Sequence, residues 1–383
     1  MELYTLDDQL RRIDVVDLWE SLIWTERWRA NGDFQLVLQS TPGYRELLKK
    51  DTQVVINESD RVMTCETIEN KGGVLTISGR SLESTLLENR VAMDGMQGLT
   101  ANPNWVLTGT PGAIARSIFK QICIDGLLSA NDKIPFIQSG NLYPAGNLAE
   151  PSTSITTTVE IKSVYAAIKE LCDVYDLGFR LVRNLDTSKL YFEIYSGSDR
   201  TSRQSTLVPV VFSPDFDNLT NVSELTSTVP YKNVAYVFAP NGSTVVYATG
   251  VDPSVSGFDR RVMFIKADDI TLPAGAALTA ELTKKGSEAL AVQQVSMGLD
   301  GEISQLSSYK YGTHYFLGDL VEMRNSDGVS NNMRVTEQIF VSDHEGERSY
   351  PTLELDVFIT PGSWLGWNAN EHWAEVTDVW ANK

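Results

Sequence analysis

Directly after the turn-forming triplet Asn31-Gly32-Asp33, Phe34, Leu36 and Leu38 alternate with Gln35, Val37 and Gln39. A period of two sets one side of an extended strand on a core and leaves the other toward solvent, which no helix reproduces. Strand-like runs follow at Gln53–Asn57, Arg61–Glu69 and Val74–Ser78, and Lys71-Gly72-Gly73 supplies the positive φ of a tight hairpin between the last two. Leu82, Leu86 and Leu87 predict a short helix that closes this first β unit, residues 1–95. The two-residue period returns at Val208, Val210 and Phe212, and again at Val234, Tyr236 and Phe238 before Pro240-Asn241-Gly242. Further strands are expected at Ala291–Met297, Leu320–Met323, Met333–Phe340 and Leu353–Phe358, with turns at Asp300-Gly301, Asp327-Gly328 and Glu345-Gly346.

Between these β regions the period changes to that of a helix. Thr110-Pro111 provides an N-cap and a first-turn proline, and Ile114, Ile118 and Ile122 recur every four residues behind it. After Ser163, Val164, Ile168 and Cys172 form one row and Ala167, Leu171 and Tyr175 the next, with Gly178 placed to end the helix. Phe179–Arg183 and Leu190–Tyr195 then read as a strand pair, so residues 96–200 are expected as a small α/β domain. A second β domain is expected over 201–360, interrupted at about 245–300 by an insertion whose helix starts at Pro273 and stacks Leu278 on Leu282. Residues 361–383 form a tail that holds Trp364, Trp367, Trp373 and Trp380, half of the chain's 8 Trp, with no regular period organising them.

Composition excludes several classes of function. At 383 residues, 42% hydrophobic and 21% charged, the chain can bury more than one core. No stretch approaches the ~20 apolar residues of a bilayer span, and the start Met1-Glu2-Leu3-Tyr4 has no basic region leading into an apolar one, so neither a membrane anchor nor a secretory signal is expected. Cys65, Cys123 and Cys172 are too widely spaced for a thiolate metal site or a disulfide framework, and are read as buried, reduced thiols. Asn218-Leu219-Thr220 and Asn221-Val222-Ser223 are read as chance matches to glycosylation acceptors. A net charge of −18 repels phosphates, which argues against stable nucleic-acid binding. It suits only a wall along which DNA slides without sticking.

Catalytic signatures are missing from the sequence. The histidines His314, His344 and His372 lie in no HExxH arrangement, and there is no nucleophile elbow, phosphate loop or dinucleotide fingerprint. Asn325-Ser326-Asp327-Gly328 resembles a calcium loop only until its register is set, since Met323 and Arg334 then occupy positions that need carboxylates. A hairpin turn is the simpler reading. Asp268-Asp269 and Asp300-x-Glu302 are acidic pairs that a chain with 50 acidic residues produces on its surface anyway. No enzyme activity, metal or cofactor is expected. The four C-terminal tryptophans are candidate partner-binding residues, with three readings open: packing on the chain's own domain, docking into a partner subunit, and stacking on sugar.

Two sets of residues carry a family resemblance. Leu22-Ile23-Trp24-Thr25-Glu26-Arg27 is followed by Gly32-Asp33-Phe34-Gln35-Leu36-Val37-Leu38 and Gly79-Arg80-Ser81-Leu82. Tyr311-Gly312 and Tyr315-Phe316-Leu317-Gly318-Asp319-Leu320-Val321 are followed by Arg334-Val335-Thr336-Glu337. In order and spacing over most of 1–360 the chain resembles minor tail proteins of long-tailed bacteriophages (siphophages), of the baseplate-hub or tail-tip hub family. The resemblance implies an α+β, β-rich fold in which two tube-forming β-barrel-like domains, at 1–95 and 201–360, flank the α/β domain. It implies a homotrimer closing the tail tube in the virion, at the distal end of the tail, below a distal tail protein ring. Its other implied partners are the tape measure protein, tip or fibre (receptor-binding) proteins, and DNA as transiting cargo. Three copies would carry a formal charge of about −54. The alternatives are a carbohydrate-binding receptor-recognition protein and a cell-wall hydrolase of the tail tip. On the leading reading, the Trp-rich tail hooks onto a separate tip or fibre protein.

Overall fold

A computed structural model describes residues 1–94, 105–140, 142, 146–184, 187, 189–227, 229, 231–248, 250–268, 270–293, 296–304 and 307–355. Its contacts divide the chain into two compact units, one of residues 1–222 with 301–355, the other spanning 223–300.

The first unit starts with seven strands: β1 (Leu3–Leu6), β2 (Arg12–Val16), β3 (Ser21–Arg27), β4 (Asp33–Gln39), β5 (Gln53–Ile56), β6 (Met63–Lys71) and β7 (Val74–Ser81). In β4, Phe34, Leu36 and Leu38 are buried and the residues between them are not, as their alternation predicts. Gly72 and Gly73 both take positive φ, 63° and 85°, in the β6–β7 turn. Short helix α1 (Pro42–Leu47) is capped by Thr41, whose hydroxyl accepts the Tyr44 N–H at 3.2 Å. The apolar side chains of these strands, Trp24, Leu36 and Ile77 among them, share one core with Phe340 from the far end of the chain. The sheet therefore curls, and the Met1 ammonium pairs with Glu347.

The middle segment holds β8 (Val91–Ala92), β9 (Trp105–Gly109), α2 (Pro111–Phe119), β10 (Ile137–Ser139), β11 (Ile155–Val159), β12 (Lys162–Ser163), α3 (Val164–Val174), β13 (Gly178–Asn184) and β14 (Lys189–Tyr195). The expected cap forms, with Thr110 accepting the Ala113 N–H at 3.4 Å, and Ser163, after which the second helix was expected, caps it by accepting the Ala166 N–H at 3.1 Å. The two helices pack on the β10-β14-β13 sheet, with Phe119 stacked on Phe192 at 4.0 Å. Their core also takes in Leu6, Val55, Val62 and Leu82, so no core boundary falls near residue 95. α3 ends at Val174, and Asp176 just beyond it takes the left-handed region, φ 52°, two residues before the expected Gly178.

The remaining strands of this unit are β15 (Val211–Phe212), then, beyond the insertion, β21 (Leu320–Arg324), β22 (Ser330–Asp343) and β23 (Gly346–Leu355). The expected two separate β domains meet in one 11-stranded sheet, with the path β15-β21-β22-β3-β4-β7-β6-β5-β1-β2 and β23 beside β22. The physical reason is the length of β22, whose 14 residues take β21 along Ser330–Arg334 and β3 along Glu337–Asp343. Alternation identified these strands but could not show that they pair with each other.

The second unit is a sheet of β17 (Val234–Ala239), β18 (Gly242–Tyr247) and β19 (Val262–Lys266) backed by α4 (Ala276–Val292). A Cβ at Gly286 would lie 2.6 Å from Val246, so only glycine lets α4 come this close. The insertion begins at 223 instead of about 245, because Val234–Ala239 pairs with Gly242–Tyr247 inside it. The chain enters along β16 (Leu219–Ser227) and leaves along β20 (Ser296–Ile303), which pair with each other.

Candidate functional site

The point where β3 meets β22 gathers the distant parts of the first unit. Thr336, between the stretches of β22 that take β21 and β3, accepts the Trp28 N–H at 2.9 Å. The Trp28 ring is fully buried, with the Arg29 guanidinium 4.0 Å and the Arg334 guanidinium 4.7 Å from it. Asp176, turned by its left-handed backbone, accepts from Arg29 at 2.9 Å and from Arg334. Arg334 also donates to the carbonyls of Ser196 (3.2 Å) and Gly318 (2.8 Å). A Cβ at Gly178 would stand 2.0 Å from Trp28 Nε1, so this glycine serves close packing, not helix termination. One indole and one carboxylate thus tie β3, the α3–β13 turn, β14 and β22 together. Each cation–π contact is worth about 0.5–2 kcal/mol.

A second buried network adjoins β3. Arg61 meets Glu83 at 3.2 Å, and Glu83 also accepts the Leu181 N–H at 2.7 Å. Burial works against the Arg61 charge, but the neighbouring Glu83 outweighs it and the guanidinium pKa is raised. Arg180 donates to Glu193 at 2.7 Å, while Glu26 accepts from Tyr311 (3.2 Å), Trp24 (3.3 Å) and Ser59. Burial pushes the Tyr195 and Tyr311 phenols up, so both stay neutral over the physiological range. Asp319, from the Leu317-Gly318-Asp319 turn, accepts Arg200 (2.7 Å) and the N–H groups of Ser198 (2.7 Å) and Phe316 (3.0 Å). These groups hold segments in register.

Several other residues singled out in the sequence also have structural employment. Burial raises the thiols of Cys65 and Cys123 to about 12 and Cys172 higher still, which leaves all three un-ionised. His314 accepts the Lys310 N–H at 2.8 Å within a turn. Asn325 Oδ1 accepts the N–H groups of Asp327 (3.0 Å) and Val329 (2.8 Å), and Gly328 has φ 84°, giving the expected hairpin between β21 and β22. Glu302 accepts Asn221 Nδ2 at 2.9 Å in the β16–β20 pair. Asp269, the Asp300 side chain and the four tryptophans Trp364, Trp367, Trp373 and Trp380 lie outside the described residues. Trp28 and Asp176, and the packing role of Gly178, escape a sequence reading because their contacts span three distant segments, although Arg334 stands in one of the family motifs.

The ends of the sheet are open among the described residues. β2 pairs only with β1, and its Ile13 and Val15 are exposed, as is Leu18 just beyond. At the other end β15 pairs only with β21, and β23 only with β22.

Residues 1–353 match the model of the family described as Siphovirus ReqiPepy6 Gp37-like protein. The chain belongs to this family. Its fold is similar to that of a tail protein from Neisseria meningitidis MC58, at 15% identity and TM-score 0.56, over 94% of this chain and 98% of that one. It is also similar to the 43 kDa tail protein of prophage MuSo2 from Shewanella oneidensis, at 13% identity and TM-score 0.55, over 93% and 98% of the two chains. No curated protein matches. The protein is thus a β-rich member of a siphovirus family, and its fold is similar to that of two tail proteins.

Proposed function

We propose that this protein is a structural bacteriophage tail protein, the hub at the distal end of the tail. Three copies join head to tail into a ring that closes the tube, with the two strand-rich segments of each copy forming its wall. The ring sits below a distal tail protein ring, seats tip or fibre proteins, and lets the tape measure protein and then DNA pass; no cofactor takes part. The observation that carries this reading is the direct pairing of β3 with β22, seven residues on each strand, which makes one wall from both ends of the chain. The open edges at β2 and at β15 and β23 are different surfaces, as a heterologous joint requires, and such a joint closes a ring when its rotation fits. Exposed Ile13 and Val15 on an edge strand favour pairing with another chain over solvent. Negative charge over such a ring keeps phosphates moving.

The test is an electron-microscopy map of intact particles. Threefold density for this chain at the tail's end is the expected result, and a monomer located on peripheral fibres would overturn it.

A further inference from the structure

Residues 250–261, on the way from β18 to β19, are pinned by hydrogen bonds of their own. The Val255 N–H bonds the Asp252 carbonyl at 2.9 Å and the Ser254 N–H bonds the Asp252 carboxylate at 2.8 Å. Arg260 donates to the Val255 carbonyl at 3.2 Å. Buried Asn233, just before β17, donates to the Asp259 carbonyl at 2.6 Å and accepts the Arg261 N–H at 2.8 Å. Gly257 turns the chain with φ 61°, and Phe258 follows it wholly exposed. A single exposed apolar side chain is ordinary, but this one stands in the wall of an open cleft with Tyr231, Asp252, Ser254, Asp259 and Arg261. The cleft measures about 440 Å³, inside the roughly 300–1,000 Å³ range of small-molecule sites.

The lining selects a ligand by charge and by hydrogen-bond type. Two carboxylates against one guanidinium turn away phosphates and acidic ligands. The Ser254 N–H holds the Asp252 carboxyl below its ordinary 3.8, so it stays ionised at neutral pH. Carboxylates only accept, the Arg261 guanidinium only donates, and the Ser254 hydroxyl does either. A purely apolar ligand would strip water from these groups without replacing its hydrogen bonds, and a simple cation would meet Arg261. Sugar hydroxyls donate and accept at once, so a ring that carries several of them satisfies the mixed set. The aromatic side chains meet its remaining requirement, a flat surface for the apolar C–H face of a pyranose. The Arg261 guanidinium lies 5.9 Å from the Tyr231 ring, which leaves Phe258 as the plate open to stacking.

We propose that this cleft binds a neutral pyranose unit of a glycan, with Phe258 stacked on the C–H face, Asp252 and Asp259 accepting from hydroxyls, and Arg261 donating to one. The pinned loop lowers the ordering cost of binding. The site lies within the insertion, so it stands whether or not three copies form a ring.

The test is a panel of immobilised neutral oligosaccharides of glucose, galactose, mannose or N-acetylglucosamine, with oligoglucuronate as acidic control, probed with the full-length protein. Capture by at least one neutral member, and none by oligoglucuronate, is expected. For a captured sugar, titration calorimetry should show Phe258→Ala weakening binding about tenfold, Asp259→Asn weakening it about fivefold, and Phe258→Trp preserving it. Circular dichroism checks the fold, and Asp259→Asn serves as the second variant should Phe258→Ala lose it. No capture of a neutral sugar at millimolar concentration would overturn the proposal, as would equal capture of oligoglucuronate. So would an affinity unchanged by Phe258→Ala, which would put the sugar on another surface of the protein.

Discussion

Strands β4 and β17 show what one periodic code does in two settings. β4 reads Asp-Phe-Gln-Leu-Val-Leu-Gln, apolar toward the curled core and largely polar on the other side, and its sheet needs only that one core. β17 reads Val-Ala-Tyr-Val-Phe-Ala, apolar on both faces, the composition of a strand with a cover on each side. α4 provides one cover. The difference lies in the second face, which in β17 is apolar and leaves Phe238 48% exposed.

The largest effect should come from the joint that makes β4's sheet continuous. Arg334→Met removes the guanidinium from Trp28 and Asp176 and leaves the Ser196 and Gly318 carbonyls unsatisfied, a loss of about 3–5 kcal/mol measured by urea unfolding. A loss under about 1 kcal/mol would mean that the two segments of the sheet are held together elsewhere. Leu36→Ala in β4 should cost about 2–5 kcal/mol, whereas Phe238→Ser in β17 should cost roughly 1 kcal/mol, since half of that ring is already exposed. Equal losses at the two positions would erase the contrast between the sheets.

The smallest effect is one of acidity at the β22–β23 hairpin. Two hydrogen bonds from Arg348, at 2.8 and 2.7 Å, hold the Asp343 carboxyl at about 2, below its ordinary 3.8. A depressed carboxyl stabilises the fold above its unfolded pKa and loses that contribution as pH falls through the folded value. Asp343→Asn should therefore flatten the fall in stability between about pH 4 and pH 2 seen in acid titration of the wild type.

Local chemistry was legible in the sequence. The Phe34-Leu36-Leu38 alternation, the Gly72-Gly73 turn, the cap at Thr110 and the helix start after Ser163 each depend on a few neighbouring residues, and each stands where the sequence places it. Pairing over long separations was not. Nothing in Trp24 or Phe340 alone says that they face each other across β3 and β22, and nothing in Val234–Ala239 says that its partners lie within the insertion. The buried ion network was invisible for a related reason, since an arginine acquires a structural role only from the carboxylate that a distant segment brings to it. The Trp cluster is the opposite case, conspicuous in sequence and outside the described residues.

The way the chain leaves and re-enters the first unit also has a consequence for which changes the fold can absorb. β16 and β20 pair where they depart and return, and the Ser304 N–H bonds the Asn218 carbonyl at 3.0 Å at their base. Everything from 223 to 300 hangs from two adjacent stems that a short turn could bridge. A cassette on such stems can be shortened or replaced without rethreading the strands of the 11-stranded sheet.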